Sequence, residues 1–160
     1  MRNSLLESLC ATGRYPLPAG SVEDSTLERR LQGRHLLVVD DEPSIRALVK
    51  CLLEIEGCRV TETASATEAL RLLPESEVDM LITDIQMPLV TGLELAQAVR
   101  EKRPEIPILL MSASPPPQFF GNISAHCLFL EKPFSFQSLM GKVQQALKAE
   151  PAAAPVARRG

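Results

Sequence analysis

Between residues 34 and 149 the chain alternates short apolar runs with longer stretches in which apolar side chains recur every three or four positions. Residues 36–39, 78–83, 108–111 and 127–130 are mostly Leu, Val, Ile, Met, Phe and Cys, the pattern of strands covered on both faces of a parallel sheet. Residues 58–63 alternate weakly, as a more exposed strand does. A first helix opens at Glu42-Pro43-Ser44, with Pro in the first turn where its missing N–H is no loss. It carries Ile45, Leu48, Val49, Leu52, Leu53 and Ile55 at helical spacing and stops at Gly57. A second opens at Ser65, boxed with Glu68, and ends near Pro74. A third spans 91–103, boxed from Thr91 to Glu94, with Leu93, Leu95, Ala96 and Val99 on its apolar face. The last spans 135–149 and places Leu139, Met140, Val143, Ala146 and Leu147 on one side.

The stretch between the fourth and fifth strands breaks this rhythm. Pro115-Pro116-Pro117 and Gly121-Asn122 leave little room for a helix, since an interior proline costs about 3 kcal/mol. The expected architecture is α/β, a flavodoxin-like doubly wound (βα)5 parallel sheet whose fourth helix is shortened or irregular. Residues 34–149 form the expected domain, preceded by a mobile extension over 1–33 and followed by a disordered Ala, Pro and Arg tail over 150–160.

Composition narrows the function. With 45% hydrophobic residues the domain can bury a sizeable core, and with 4% aromatics, no Trp and no basic segment it lacks the means to stack on or steer towards nucleic acid. Glu7 interrupts the only apolar stretch near the start and no run approaches 18 apolar residues, so a cytoplasmic protein without a membrane partner is expected. Cys10, Cys51, Cys58 and Cys127 form no CxxC and read as reduced core thiols rather than zinc ligands.

The chemistry collects at strand ends. Asp40-Asp41 follow the first strand, Asp84 ends the third and Lys132 follows the fifth, and the carboxyl edge of a parallel sheet is where ligands bind. Carboxylates ~4 Å apart repel by about 4 kcal/mol at an effective dielectric of 20, so the group needs a counter-cation. Oxygen-only ligands suit Mg2+, and Lys132 suits a phosphoryl oxygen. With Ser112 bringing a hydroxyl to the same edge, the set fits phosphoryl transfer to a carboxylate, Asp84 being the best acceptor. Singly, each has an ordinary role: Asp40-Asp41 as a helix cap, Asp84 as a turn-former, Lys132 as a surface lysine, Ser112 as a strand terminus, Phe129 as core. Their joint order and spacing favour the site.

Val38-Val39-Asp40-Asp41-Glu42, Asp84-Ile85-Gln86-Met87-Pro88, Gly92, Ser112 and Lys132-Pro133-Phe134 together resemble the receiver domain of two-component response regulators, including the stand-alone chemotaxis and phosphorelay types. The resemblance implies that Asp84 accepts a phosphoryl group from a phosphohistidine on a sensor histidine kinase or histidine phosphotransfer protein. It implies Mg2+ on Asp40, Asp41, Asp84 and the Gln86 backbone carbonyl, with Lys132 on the phosphoryl group. Ser112 and Phe129 would form the switch, and Gln86 and Ser114 would tune the lifetime of the acyl phosphate. Cys127-Leu128 stand where the family commonly has Gly-Ala.

The expected function is thus a stand-alone receiver that switches binding of a downstream target protein, with no enzymatic activity beyond self-phosphorylation and autodephosphorylation. Residues 27–33 also resemble the lead-in to receivers fused behind sensor kinases, which leaves a receiver fragment of a hybrid histidine kinase as an alternative. A phosphorylation-independent interaction module is a second. A haloacid-dehalogenase-type hydrolase expects an acid two residues past its nucleophile, where this chain has Gln86.

Overall fold

Parallel pairing of five apolar runs builds one sheet: β1 (His35–Val39), β2 (Arg59–Thr63), β3 (Met80–Asp84), β4 (Ile108–Ser112) and β5 (Cys127–Glu131), in the order β2-β1-β3-β4-β5. The computed structural model describes residues 31–114 and 127–148. Most of the 1–33 extension, the 115–126 stretch where a shortened or irregular helix is expected, and the 150–160 tail therefore lie outside the described residues. Four helices connect or follow the strands within them: α1 (Pro43–Ile55), α2 (Ala66–Leu72), α3 (Gly92–Lys102) and α4 (Phe136–Lys148).

The pleat sorts side chains into two cores. Leu36, Val38, Met80, Ile82, Leu109, Met111 and Leu130 face Val49 and Leu53 of α1 and Leu139, Met140 and Val143 of α4. Leu37, Val39, Leu81, Ile108 and Leu110 face Ala66 and Ala69 of α2 and Leu95, Ala96 and Val99 of α3. The switch from β1 outwards to β2 and then back past β1 to β3 opens a crevice at the carboxyl ends of β1 and β3.

Local chemistry sets the element ends. α1 stops in a Schellman turn, with Gly57 at φ 85°, its N–H on the Glu54 carbonyl at 3.0 Å and the Cys58 N–H on Leu53 at 3.1 Å. Thr91 and Glu94 form the full capping box of α3, whereas Ser65 only accepts from the Glu68 N–H, so the box expected there is half made. β3 starts at Met80 rather than Val78, because the Val78 N–H turns back onto the Ser76 carbonyl. Leu31, assigned by sequence to the extension, is fully buried between α1 and Cys58, where its carbonyl accepts from the Arg34 N–H.

Cys58 and Cys127 are free and buried, and burial pushes the Cys58 thiol up to about 11. Cys51 departs from the expected set of reduced thiols: it lies partly exposed on α1 and is disulfide-bonded. No helix of the described residues is long and apolar enough to cross a membrane.

Leu89 carries the one positive φ among the described non-glycine residues, 68°, with its side chain 99% exposed. A left-handed backbone costs a β-carbon-bearing residue about 1 kcal/mol, and here no burial offsets it. Leu89→Asn is expected to stabilise the fold by about 0.5–1 kcal/mol, read as a higher urea midpoint at constant slope. A lower midpoint would contradict this account of the loop.

Candidate functional site

Asp84 ends β3, and its pleat position follows Met80 and Ile82 on the α1/α4 side. Asp40 extends β1 by one rung, its N–H on the Thr63 carbonyl at 3.3 Å, and follows Leu36 and Val38 on that side. Lys132 extends β5 in the same way, its N–H on the Ser112 carbonyl at 2.9 Å, following Leu128 and Leu130. Three strands thus deliver three charges to one side of one edge. Lys132 Nζ donates to Asp40 Oδ2 at 2.8 Å and stands 3.3 Å from Asp84 Oδ1.

Asp41 turns outward and is exposed, yet one carboxylate oxygen from each of Asp40, Asp41 and Asp84 lies within 4.8 Å of the others. Two of these carboxylates, Asp41 and Asp84, edge an open cavity of about 550 Å3, lined also by Glu42, Pro43, Gln86, Ala113 and Lys132. Asp40 is fully buried and Asp84 nearly so. Burial pushes the Asp84 carboxyl above the ordinary aspartate value; Lys132 pulls it back, while Asp40 and Asp41 push it further up. For Lys132 burial acts downward, but the hydrogen bond and charge of Asp40, aided by Asp84, hold its pKa above the ordinary lysine value.

Gly92 explains how Asp84 reaches the edge. Its N–H binds the Ile85 carbonyl at 2.9 Å, and a β-carbon there would lie 1.9 Å from the Asp84 carbonyl oxygen. Only glycine lets α3 begin against the backbone of the acceptor turn.

Ser112, Ser114 and Phe129 do not line the cavity. By the same parity Ser112 follows Ile108 and Leu110 on the α2/α3 side, and its Oγ accepts from the Ser114 N–H at 3.2 Å. Phe129 is half-buried against that core. Sequence reasoning missed Glu42 and Pro43 as cavity walls, although their place directly after Asp40-Asp41 was the signal. It also missed Arg46, whose Nη1 donates to the Asp40 carbonyl at 2.7 Å. The helical-cap reading of Asp40 is not met: the N-cap of α1 is Glu42, without a side-chain cap bond, and Asp40 Oδ1 accepts from the Glu42 N–H at 2.9 Å in the turn that precedes the helix.

A family model described as the response regulator receiver domain matches residues 36–144. The chain belongs to that family. The receiver is 35% identical over 117 residues to the response regulator SaeR of Staphylococcus epidermidis and 33% identical over 117 residues to SaeR of Staphylococcus aureus. Those alignments cover 71% of this chain and 50% of each relative, so the chain spans about half the length of the curated relatives it matches. Among solved structures it resembles the chemotaxis protein CheY4 of Vibrio cholerae, with TM-score 0.67 and 32% identity over 71% of this chain and 98% of that one. It also resembles the response regulator TrrA of Thermotoga maritima in complex with Mg(2+)-BeF, with TM-score 0.63 and 34% identity over 71% and 98%. Receiver domains are the phosphoacceptor modules of two-component signalling, and this sheet order is the one their doubly wound fold requires.

Proposed function

We propose that this receiver takes a phosphoryl group onto an Asp84 carboxylate oxygen from a phosphohistidine of a sensor histidine kinase or histidine phosphotransfer protein, and that the acyl phosphate alters binding of a downstream target protein. The observation that carries the reading is the carboxylate triad tied to a lysine that bridges its two buried members. Three carboxylates and one ammonium leave a formal charge of −2, which one divalent cation neutralises; the all-oxygen donor set fits Mg2+. Asp40, Asp41, Asp84 and the Gln86 backbone carbonyl would hold the ion, which supplies charge neutralisation for the phosphoryl oxygens.

The remaining chemistry belongs to the chain. An Asp84 oxygen forms the new O–P bond as the donor's N–P bond breaks and the imidazole nitrogen takes the leaving electron pair. Lys132, already 3.3 Å from Asp84 Oδ1, binds the arriving phosphoryl group. Gln86, exposed on the cavity wall, and Ser114 control access of the hydrolytic water, and Ser112 and Phe129 are the pair that responds to the acyl phosphate.

Incubation with Mg2+ and acetyl phosphate, read by intact mass, tests the proposal: a gain of about 80 Da that EDTA prevents supports it, and a folded protein that gains nothing opposes it. Lys132→Met should slow that gain by about 100-fold, the usual loss for removing one charge-stabilising donor. A rate within about twofold of wild type would exclude Lys132 from the phosphoryl site.

A further inference from the structure

Resting on the metal reading above, we propose that Arg46 is a positioning residue of the acid cluster, holding the Asp40–Asp41 peptide so that Asp41 presents its carboxylate to the cation. Among the described residues Asp41 makes no side-chain hydrogen bond or ion pair, and it is exposed. Its direction is therefore set by its backbone. That backbone is pinned from one side by the Asp40 N–H on Thr63 and by Asp40 Oδ1 on the Glu42 N–H. The peptide linking Asp40 to Asp41 is a rigid plane, and its oxygen is the remaining handle.

Arg46 takes that handle. Its own N–H makes the first α1 hydrogen bond, to Glu42 at 3.2 Å, and its side chain then runs back towards the helix start, as helical side chains do. Nη1 reaches the Asp40 carbonyl at 2.7 Å, a short charge-assisted bond outside the helical ladder. One residue thus closes the β1–α1 turn with both its backbone and its guanidinium. Without the guanidinium the plane can rotate, and the exposed carboxylate of Asp41 swings with it while buried Asp40 stays on Lys132.

Arg46→Met keeps the apolar stem and removes the donors, and Arg46→Lys keeps one charged donor. With no Trp to report binding, Mg2+ affinity is read by calorimetry. Arg46→Met should weaken it about tenfold, the usual cost of losing a residue that orients a ligand, and Arg46→Lys should recover it to within about threefold. With acetyl phosphate, Arg46→Met should raise the Mg2+ concentration needed for half-maximal rate and leave the saturating rate within about twofold. Arg71→Met, removing an exposed arginine 4.0 Å from Glu68, should change neither. A folded Arg46→Met protein with wild-type Mg2+ affinity would overturn the proposal. Failure of the wild type to bind Mg2+ would overturn the metal reading instead. Amide exchange at Glu42, whose N–H binds Asp40 Oδ1 in the same turn, then decides Arg46: protection lost in Arg46→Met upholds its hold on the turn, and protection unchanged overturns it.

Discussion

Asp84→Asn is expected to abolish phosphoryl acceptance and, in EDTA, to make the protein more stable than wild type at neutral pH. The first effect follows from replacing the attacking carboxylate with an amide oxygen of negligible nucleophilicity; incorporation should fall to background at any donor concentration. The second follows from burial. Asp84 has a folded pKa above 3.8, so the folded state binds its proton more tightly than the unfolded chain does. Its contribution to stability therefore declines as pH rises from that value through the folded pKa, and the full penalty persists at neutral pH. Asparagine removes the penalty while Lys132 keeps its 2.8 Å bond to Asp40. The stability gap between variant and wild type should be small below the ordinary aspartate pKa and widen as pH rises, as chemical denaturation in EDTA will read. A variant less stable than wild type across that range would mean that attraction to Lys132 outweighs burial.

Gly92→Ala should cost about 2–3 kcal/mol, the upper part of the range for overpacking, although it adds a single methyl group. Its β-carbon would meet the Asp84 carbonyl oxygen at 1.9 Å, its carbon at 2.8 Å and Ile85 Cα at 3.0 Å, all backbone atoms that no rotamer change can move. Either α3 retreats or the Asp84 turn shifts, and a shift carries the acceptor away from Lys132. The expected readouts are a lower urea midpoint together with slower incorporation from acetyl phosphate in the fraction that remains folded. Gly141→Ala is the matched control, because a β-carbon there meets nothing within 4 Å and sits in the interior of α4. Equal behaviour of the two variants would remove Gly92 from the account of how the acceptor is placed.

The sheet was legible because central parallel strands leave an unmistakable trace: residues 36–39 and 108–111 have no polar member, and every one of them is buried. The side of the sheet was not legible: Ser112 continues the apolar positions 108 and 110 just as Asp84 continues 80 and 82, and it is the β3–β4 register, pairing Asp84 with Met111, that puts Ser112 on the opposite side. Bonds made by long side chains across a turn were not legible. Arg46 reads as an ordinary helix cation, and nothing in its neighbours reveals that it reaches a carbonyl six residues earlier. The Ser65 box failed for a related reason: the motif fixes which groups can meet, while the rotamer of Glu68, drawn towards Arg71 at 4.0 Å, decides whether they do. Gly92 was recognised by its place in a motif, but its 1.9 Å approach to Asp84 belongs to tertiary packing between α3 and β3.

The central claim is that the Asp84 carboxylate, and no other group, receives the phosphoryl. Borohydride reduction of the protein after incubation with Mg2+ and acetyl phosphate converts an aspartyl phosphate to homoserine, and peptide mass mapping then locates it. The account predicts homoserine at position 84 alone, absent when EDTA is present. Homoserine at position 40 or 41, or a phosphoryl group retained on a serine after reduction, would contradict it.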